Sequence, residues 1–267
     1  MPAACVSAGV ARAMRAYASE ALVLRTYRYG EADRIVVFLT ADRGKKRGVA
    51  KNATKSRRRF GGALEPLTLG RIAYVEREHR DLVRVDRIEP LASPFSPSES
   101  RIGQSDAAQA LGHASYFAEL LDEWAPENSA NERLFRLGAA LGAALGKGGS
   151  VEALARYFEY WLLRLEGVYP ALDVCPRCDR PVLAEGAVLV LFERRYECRT
   201  CVEYGPSVSR EAIAFLRRAA DRTPAQIGAE GVAPEMLREL ETAHHLLIAS
   251  YLEKELRSAR VVKELRP

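Results

Sequence analysis

Residues 34–50 read RIVVFLTADRGKKRGVA. Ile35 to Leu39 is an unbroken apolar run, too short for an ordinary helix and bounded by turn residues. Such a run reads as a strand buried on both faces. Asp42-Arg43-Gly44 supplies a turn, and Gly48-Val49-Ala50 can end a third strand. Upstream, Glu20 to Arg28 is β-rich, with Leu22 and Leu24 on one face. Downstream, Leu67 to Glu76 alternates, placing Leu67 and Leu69, then Ile72 and Tyr74. Leu82 to Ile88 sets Val83 and Val85 against Arg84 and Asp86. Further turns fall at Gly30, Gly61-Gly62 and His79-Arg80-Asp81. Five short strands in about seventy residues suit a small barrel, because closure removes exposed edges.

The charge is unevenly spread. The 267-residue chain has a net charge of +5, yet residues 1–90 carry +9 and residues 91–267 carry −4. The barrel region is therefore the part expected to meet a polyanion. Its cations concentrate between Arg43 and Arg59, a stretch with no acidic residue: Arg43, Lys45, Lys46, Arg47, Lys51, Lys55, Arg57, Arg58 and Arg59. Read linearly, they occupy the turn and loop between the third and fourth strands. So dense a charge repels itself, and phosphates relieve the repulsion with release of counterions. Phe60 follows directly, and Tyr27, Tyr29 and Tyr74 lie on nearby strands. Aromatic faces beside a basic groove form a platform for unpaired bases. The competing readings are a merely solvated loop and barrel core for the individual tyrosines.

Leu91 to Ser100, LASPFSPSES, reads as a linker. Helical spacing follows. Residues 105–124 carry Leu111, Ala114, Leu121 and Trp124. Asn131 can cap a helix bearing Leu134, Leu137, Leu141 and Leu145, which stops at Gly148-Gly149. Ser150 can cap the next, with Leu154, Phe158, Trp161, Leu162 and Leu165 as its stripe, ended by Gly167 and Pro170. Helices are also expected at 209–220 and 235–257. The aromatic residues on these stripes read as core.

Between them lie Cys175, Cys178, Cys198 and Cys201, in CPRC and CRTC with nineteen residues between the pairs. Two thiolates on a tight turn bite one cation, and two such turns complete a tetrahedral shell suited to Zn2+. Disulfides would need an oxidising compartment, which nothing in the N-terminal residues suggests. Four thiolates leave no open position for water, so the ion is expected to be structural. Its binding would supply much of the folding free energy of a segment with so little core. Val188 to Phe192 can form a strand of this finger. Arg177, Arg180, Arg194, Arg195 and Arg199 surround it, as phosphate contacts or as a solvated face.

No run of eighteen apolar residues exists, so no membrane-spanning helix is expected. A reducing cytoplasm is the consistent compartment. Residues 1–14, with the lone Cys5, read as a leader without assigned function. No Gly-x-x-x-x-Gly-Lys phosphate cradle occurs. His79, His113, His244 and His245 form no metal-ligand or catalytic spacing, and adjacent His244 and His245 should face different sides of a helix. Enzymatic chemistry is therefore not expected.

Residues 21–77, ALVLRTYRYGEADRIVVFLTADRGKKRGVAKNATKSRRRFGGALEPLTLGRIAYVER, and 81–90, DLVRVDRIEP, resemble the RecO family of bacterial recombinational DNA-repair mediators. Gly30-Glu31-x-Asp33-Arg34 and Arg58-Arg59-Phe60-x-Gly62 carry much of the likeness. EYWLLRLEGVYPALDVCPRC (159–178) resembles that family's approach to its zinc site, and YLEKELRSAR (251–260) its final helix. The resemblance implies an α+β architecture: an N-terminal OB-fold barrel (15–90), a linker (91–100), and a helical domain (101–267) with a zinc finger inserted at about 171–205. It implies binding of single- and double-stranded DNA, annealing of complementary strands, and partnership with RecR and the single-stranded-DNA-binding protein in loading RecA. It adds Arg34 to the cations from Arg43 to Arg59 as DNA contacts. A barrel of this type binds RNA equally well, so an RNA- or ribosome-binding module with a structural zinc is the main rival. A pure adaptor whose basic loop meets an acidic protein is another.

Overall fold

The computed structural model describes residues 14–78, 80–96, 102–103, 106–182, 185–253 and 256–265. Residues 1–13 of the leader with Cys5, His79, and residues 97–100 of the Pro/Ser stretch lie outside the described residues.

Five strands close a barrel in the order β1 (Met14–Tyr29), β2 (Asp33–Thr40), β3 (Gly44–Ala50), β5 (Val83–Ala92), β4 (Leu69–Arg77). All neighbours are antiparallel except β3 and β5. Strand β1 begins before Glu20 because it serves two partners. Met14 to Leu22 pairs with β4, and Ala21 to Tyr29 pairs with β2. The short helix α1 (Arg57–Phe60) follows β3 and turns Phe60, 2% exposed, into the barrel. Val23, Val36, Phe38, Ile72, Tyr74 and Val85 fill the interior with it.

Strand β3 ends at Ala50 as expected but begins at Gly44, so Lys45, Lys46 and Arg47 are strand residues rather than turn or loop residues. Hairpin pairing of Thr40 with Gly44 sets this register. Gly44 at φ 70° supports the turn, and a side chain there would strike the Ser129 backbone.

The outer wall of β1 and β2 is also buried. Leu22, Leu24, Val37 and Leu39 belong to the same core as Phe117, Leu121, Leu134 and Leu141 of helices α2 (Ala107–Trp124) and α3 (Glu132–Gly146). That second burial explains why Ile35 to Leu39 shows no polar alternation. Gly138 and Gly142 bring α3 close. A Cβ at Gly138 would sit 2.6 Å from Leu22 Cδ2, and one at Gly142 2.9 Å from the Leu67 carbonyl. The described part of the Pro/Ser stretch joins this seam: β5 runs to Ala92, and Phe95 packs against the core.

Asn131 and Ser150 cap α3 and α4 (Val151–Leu165), each accepting a backbone N–H at 3.1 Å. Beyond the cysteine finger come α5 (Arg210–Asp221), α6 (Pro224–Gly228), α7 (Pro234–Leu252) and α8 (Arg257–Glu264). The helix expected over 235–257 ends at Leu252, and α8 follows from Arg257. Glu253 adopts φ 53°, and the left-handed turn ends α7. The brief α6 was not expected; Thr223 and Gln226 form its capping box.

A charged cluster is buried among the helices. Glu159, fully buried, accepts from Arg156 at 2.7 Å, Tyr116 hydroxyl at 2.8 Å and His244 Nδ1 at 3.0 Å. His245 Nε2 lies 3.5 Å from the same carboxylate, so the adjacent histidines converge on one partner rather than diverge. Burial pushes the Glu159 carboxyl up, but the Arg156 charge and the histidine hydrogen bonds outweigh it and hold the group well below its ordinary value. Burial holds His244 and His113 below 6.5. Glu119 is likewise lowered below 4.5: burial opposes ionisation, and bonds from Ser258 together with the Arg25 charge overcome it.

Lowered imidazoles mean the unfolded chain takes up protons first as pH falls below 6.5. Lowered carboxyls contribute stability present above 4.5 and lost below it. The thermal midpoint should therefore be flat near neutrality, decline below about pH 6.5, and decline more steeply below about pH 4.5. Glu119→Gln should flatten only the lower limb; melting curves across pH check this.

Candidate nucleic-acid interface and metal site

Strands β6 (Ala187–Val190), β7 (Arg195–Glu197) and β8 (Ser207–Val208) form a small sheet in the order β7-β6-β8. The expected strand ends at Val190, and Phe192 projects from the following turn at 99% exposure. Each cysteine pair sits on a tight turn. Cys175 N–H donates to the Arg180 carbonyl and Asp179 N–H donates back to Cys175, both at 2.8 Å. Cys201 and Val202 N–H donate to the Cys198 carbonyl at 2.9 and 3.1 Å. These turns aim all four sulfurs inward, within 4.8 Å of one another. Cys178 Sγ and Cys198 Sγ are 3.5 Å apart. A tetrahedral ion with sulfur bonds of about 2.3 Å has a sulfur–sulfur edge of about 3.8 Å. The four thiols can thus hold one metal ion with little rearrangement.

Most arginines near the cysteines serve the finger itself. Arg177 donates to the Cys201 carbonyl at 3.0 Å, Arg180 to Thr200 at 2.7 Å, and Arg195 to buried Glu197 at 2.7 Å. Arg194 and Arg199 are exposed. Cys175→Ser combined with Cys198→Ser should abolish stoichiometric metal binding and lower the thermal midpoint. Native mass spectrometry and a melting curve read both.

The structure divides the barrel's cations into two groups. The first is used at the seam with the helices. Lys45 is 7% exposed; its ammonium reaches the Asp122 carboxylate at 3.2 Å and donates to the Asp122 carbonyl. Lys46 binds Glu76 at 2.5 Å and Asn128 at 2.9 Å. Arg47 lies 3.9 Å from Asp122 and 3.5 Å from Glu127. Arg25 joins them, 3.0 Å from Glu119 and 3.4 Å from Asp122. Lys45 and Lys46 are therefore spent inside the molecule, which a linear charge map does not show. Arg43 covers the Tyr17 ring at 4.0 Å beside Asp42. Arg59 braces its own loop, donating to the Lys51 carbonyl at 2.8 Å and lying over Phe60. Arg34 is half-buried and donates to the Asp33 carbonyl.

The second group faces solvent. Lys51, Lys55, Arg57 and Arg58 are exposed. Among the described residues they join none of the barrel's ion pairs, which engage Arg25, Arg43, Lys45, Lys46, Arg47, Arg84 and Arg87. Beside them, a groove of about 690 Å³ opens where β1 turns into β2 and β4 into β5. Tyr29, Lys51, Arg77, Arg80 and Arg84 line it, with Asp33 and Asp81. Tyr27 and Tyr29 project from one side of β1, 45% and 49% exposed, which answers the question of barrel core for these two rings. Tyr74, at 1%, is core. Sequence reasoning missed Arg77, Arg80 and Arg84, since they sit around a different hairpin. Their clustering at one strand end was the available signal.

These features define a class of protein: an OB-type barrel fused to a helical domain that carries a four-thiol finger. Residues 14–94 match the family Recombination protein O N terminal, and residues 106–260 match Recombination protein O C terminal. The chain is 46% identical over 160 residues to the DNA repair protein RecO of Koribacter versatilis, a match spanning 60% of this chain and 62% of that one. It is 35% identical to the DNA repair protein RecO of Anaeromyxobacter sp. strain K, over 92% of this chain and 95% of the relative. It is also 35% identical to that of Geobacter metallireducens, over 95% and 100%. The chain belongs to the Recombination protein O family of DNA repair proteins. Among the described residues no helix is long and apolar enough to cross a membrane.

Proposed function

We propose that the protein binds single- and double-stranded DNA on its barrel and anneals complementary strands. With RecR, it would help load RecA onto strands coated by the single-stranded-DNA-binding protein. The observation that carries this is the exposed set Lys51, Lys55, Arg57 and Arg58, without ion pairs among the described residues, with Lys51 sharing the arginine-lined groove with Tyr29 and Tyr27 exposed on the same side of β1, on a chain of this family. Cations there neutralise phosphates while the tyrosine rings stack on bases.

Annealing makes and breaks no covalent bond. Two strands repel through their phosphates, and a basic surface screens the repulsion and raises local strand concentration. Contacts that ignore sequence let strands slide until they register, and base pairing then selects the partner. No side chain needs to act as acid, base or nucleophile. The four thiolates fit zinc in a structural role, since no ligand position is left for water. Function in the cytoplasm, on the nucleoid, follows from this reading.

Lys51→Gln, Lys55→Gln, Arg57→Gln and Arg58→Gln together should weaken single-strand binding. Four lost phosphate contacts would reduce the log–log salt slope by roughly 3. The same variant should slow annealing of strands coated with their cognate single-strand-binding protein. Unchanged affinity and slope would move the strand off this face. Preference for RNA over a matched DNA oligomer would favour the ribosome- or RNA-binding alternative.

A further inference from the structure

YLEKELRSAR, residues 251–260, has no part in the function proposed above. Its last four residues open α8. Val262, 7% exposed, faces inward, and Leu265 lies against Gly112 of α2. On the opposite side of the helix, Arg257 and Arg260 stand one turn apart, both exposed. Among the described residues neither enters an ion pair, in contrast to Arg25, Lys45 and Lys46.

The start of α8 is fixed beside the barrel. Glu119 Oε2 accepts from the Ser258 N–H at 2.7 Å and from the Ser258 hydroxyl. Glu119 Oε1 lies 3.0 Å from Arg25 on β1. Arg25 in turn donates to the Tyr27 hydroxyl at 3.3 Å. One buried carboxylate therefore joins the first turn of the last helix to the strand that displays Tyr27, Arg28 and Tyr29. Its own charge is matched by Arg25 and by the Ser258 bonds, so it does not cancel the arginines outside it.

We propose that Arg257 and Arg260 extend the strand-binding track from the barrel onto the C-terminal helix. They take backbone phosphates of the same single strand whose bases lie over Tyr27 and Tyr29. The proposal rests on the DNA-binding reading given above. A strand short enough to be held by the barrel alone does not reach α8; a longer one does.

Arg257→Gln with Arg260→Gln tests this against oligonucleotides of about 8 and about 30 nucleotides, the shorter within the site size of a single OB fold. On the longer strand, the double variant should lose affinity severalfold at low salt and reduce the salt slope by about 1.4. On the shorter strand it should match the parent protein. Both side chains are exposed, so its melting curve should be unaltered. An equal loss at both lengths, or none at either, overturns the extended track. The barrel reading is judged separately: it fails if the Lys51, Lys55, Arg57, Arg58 variant binds both lengths like the parent protein. No binding of either length by the parent protein overturns both.

Discussion

Burial of β1 and β2 on both faces is the constraint from which the rest of the architecture follows. Val23, Val36 and Phe38 fill the barrel, while Leu22, Leu24, Val37 and Leu39 fill the seam with α2 and α3. At about 25 cal/mol per Å² of apolar surface, this second layer makes separation of barrel and helices costly. The helices therefore act as a wall of the barrel and not as a tethered neighbour. Gly138 and Gly142 permit the approach, because any side chain there would collide with Leu22 or the Leu67 backbone.

Electrostatics complete the seam and decide which cations remain for a ligand. Asp122 gathers Arg25, Lys45 and Arg47, and Glu119 holds Arg25 and the start of α8. Buried pairs of this kind orient their partners more than they stabilise the fold. Their consequence is a sorting. Cations on the seam side of β3 are neutralised internally. Lys51, Lys55, Arg57 and Arg58, just past Ala50, meet no acid among the described residues and stay available to phosphate. The finger shows the same economy on a smaller scale, with Arg177, Arg180 and Arg195 committed to its own carbonyl, hydroxyl and carboxylate groups.

Much of this was legible in the chain. Alternation and turn residues located the five strands, and Asn131 and Ser150 announced α3 and α4. The four cysteines, by spacing alone, named the residues that cluster. The misreadings share a cause. Lys45 to Arg47 looked like loop because strand propensity disfavours such charge, yet Asp122, Glu76 and Glu127 on other elements accommodate it. The helix over 235–257 looked continuous because no glycine or proline interrupts it, yet Glu253 turns left-handed. His244 and His245 looked divergent because helix geometry separates neighbours, yet Glu159 lies between their directions.

The barrel strands, the helices α2 to α5 and α7, and the thiol set were legible in the chain, because strand alternation, capping and Cys-x-x-Cys spacing are local properties of consecutive residues. Which cations are free to bind, which tyrosines are exposed, and that Glu119 links the start of α8 to Arg25 of β1 emerge only once the chain has folded. Those depend on partners far apart along the chain, such as Lys45 with Asp122 and Glu119 with Ser258. Charge counts are additive along a sequence, but availability is set by what the fold places opposite each charge.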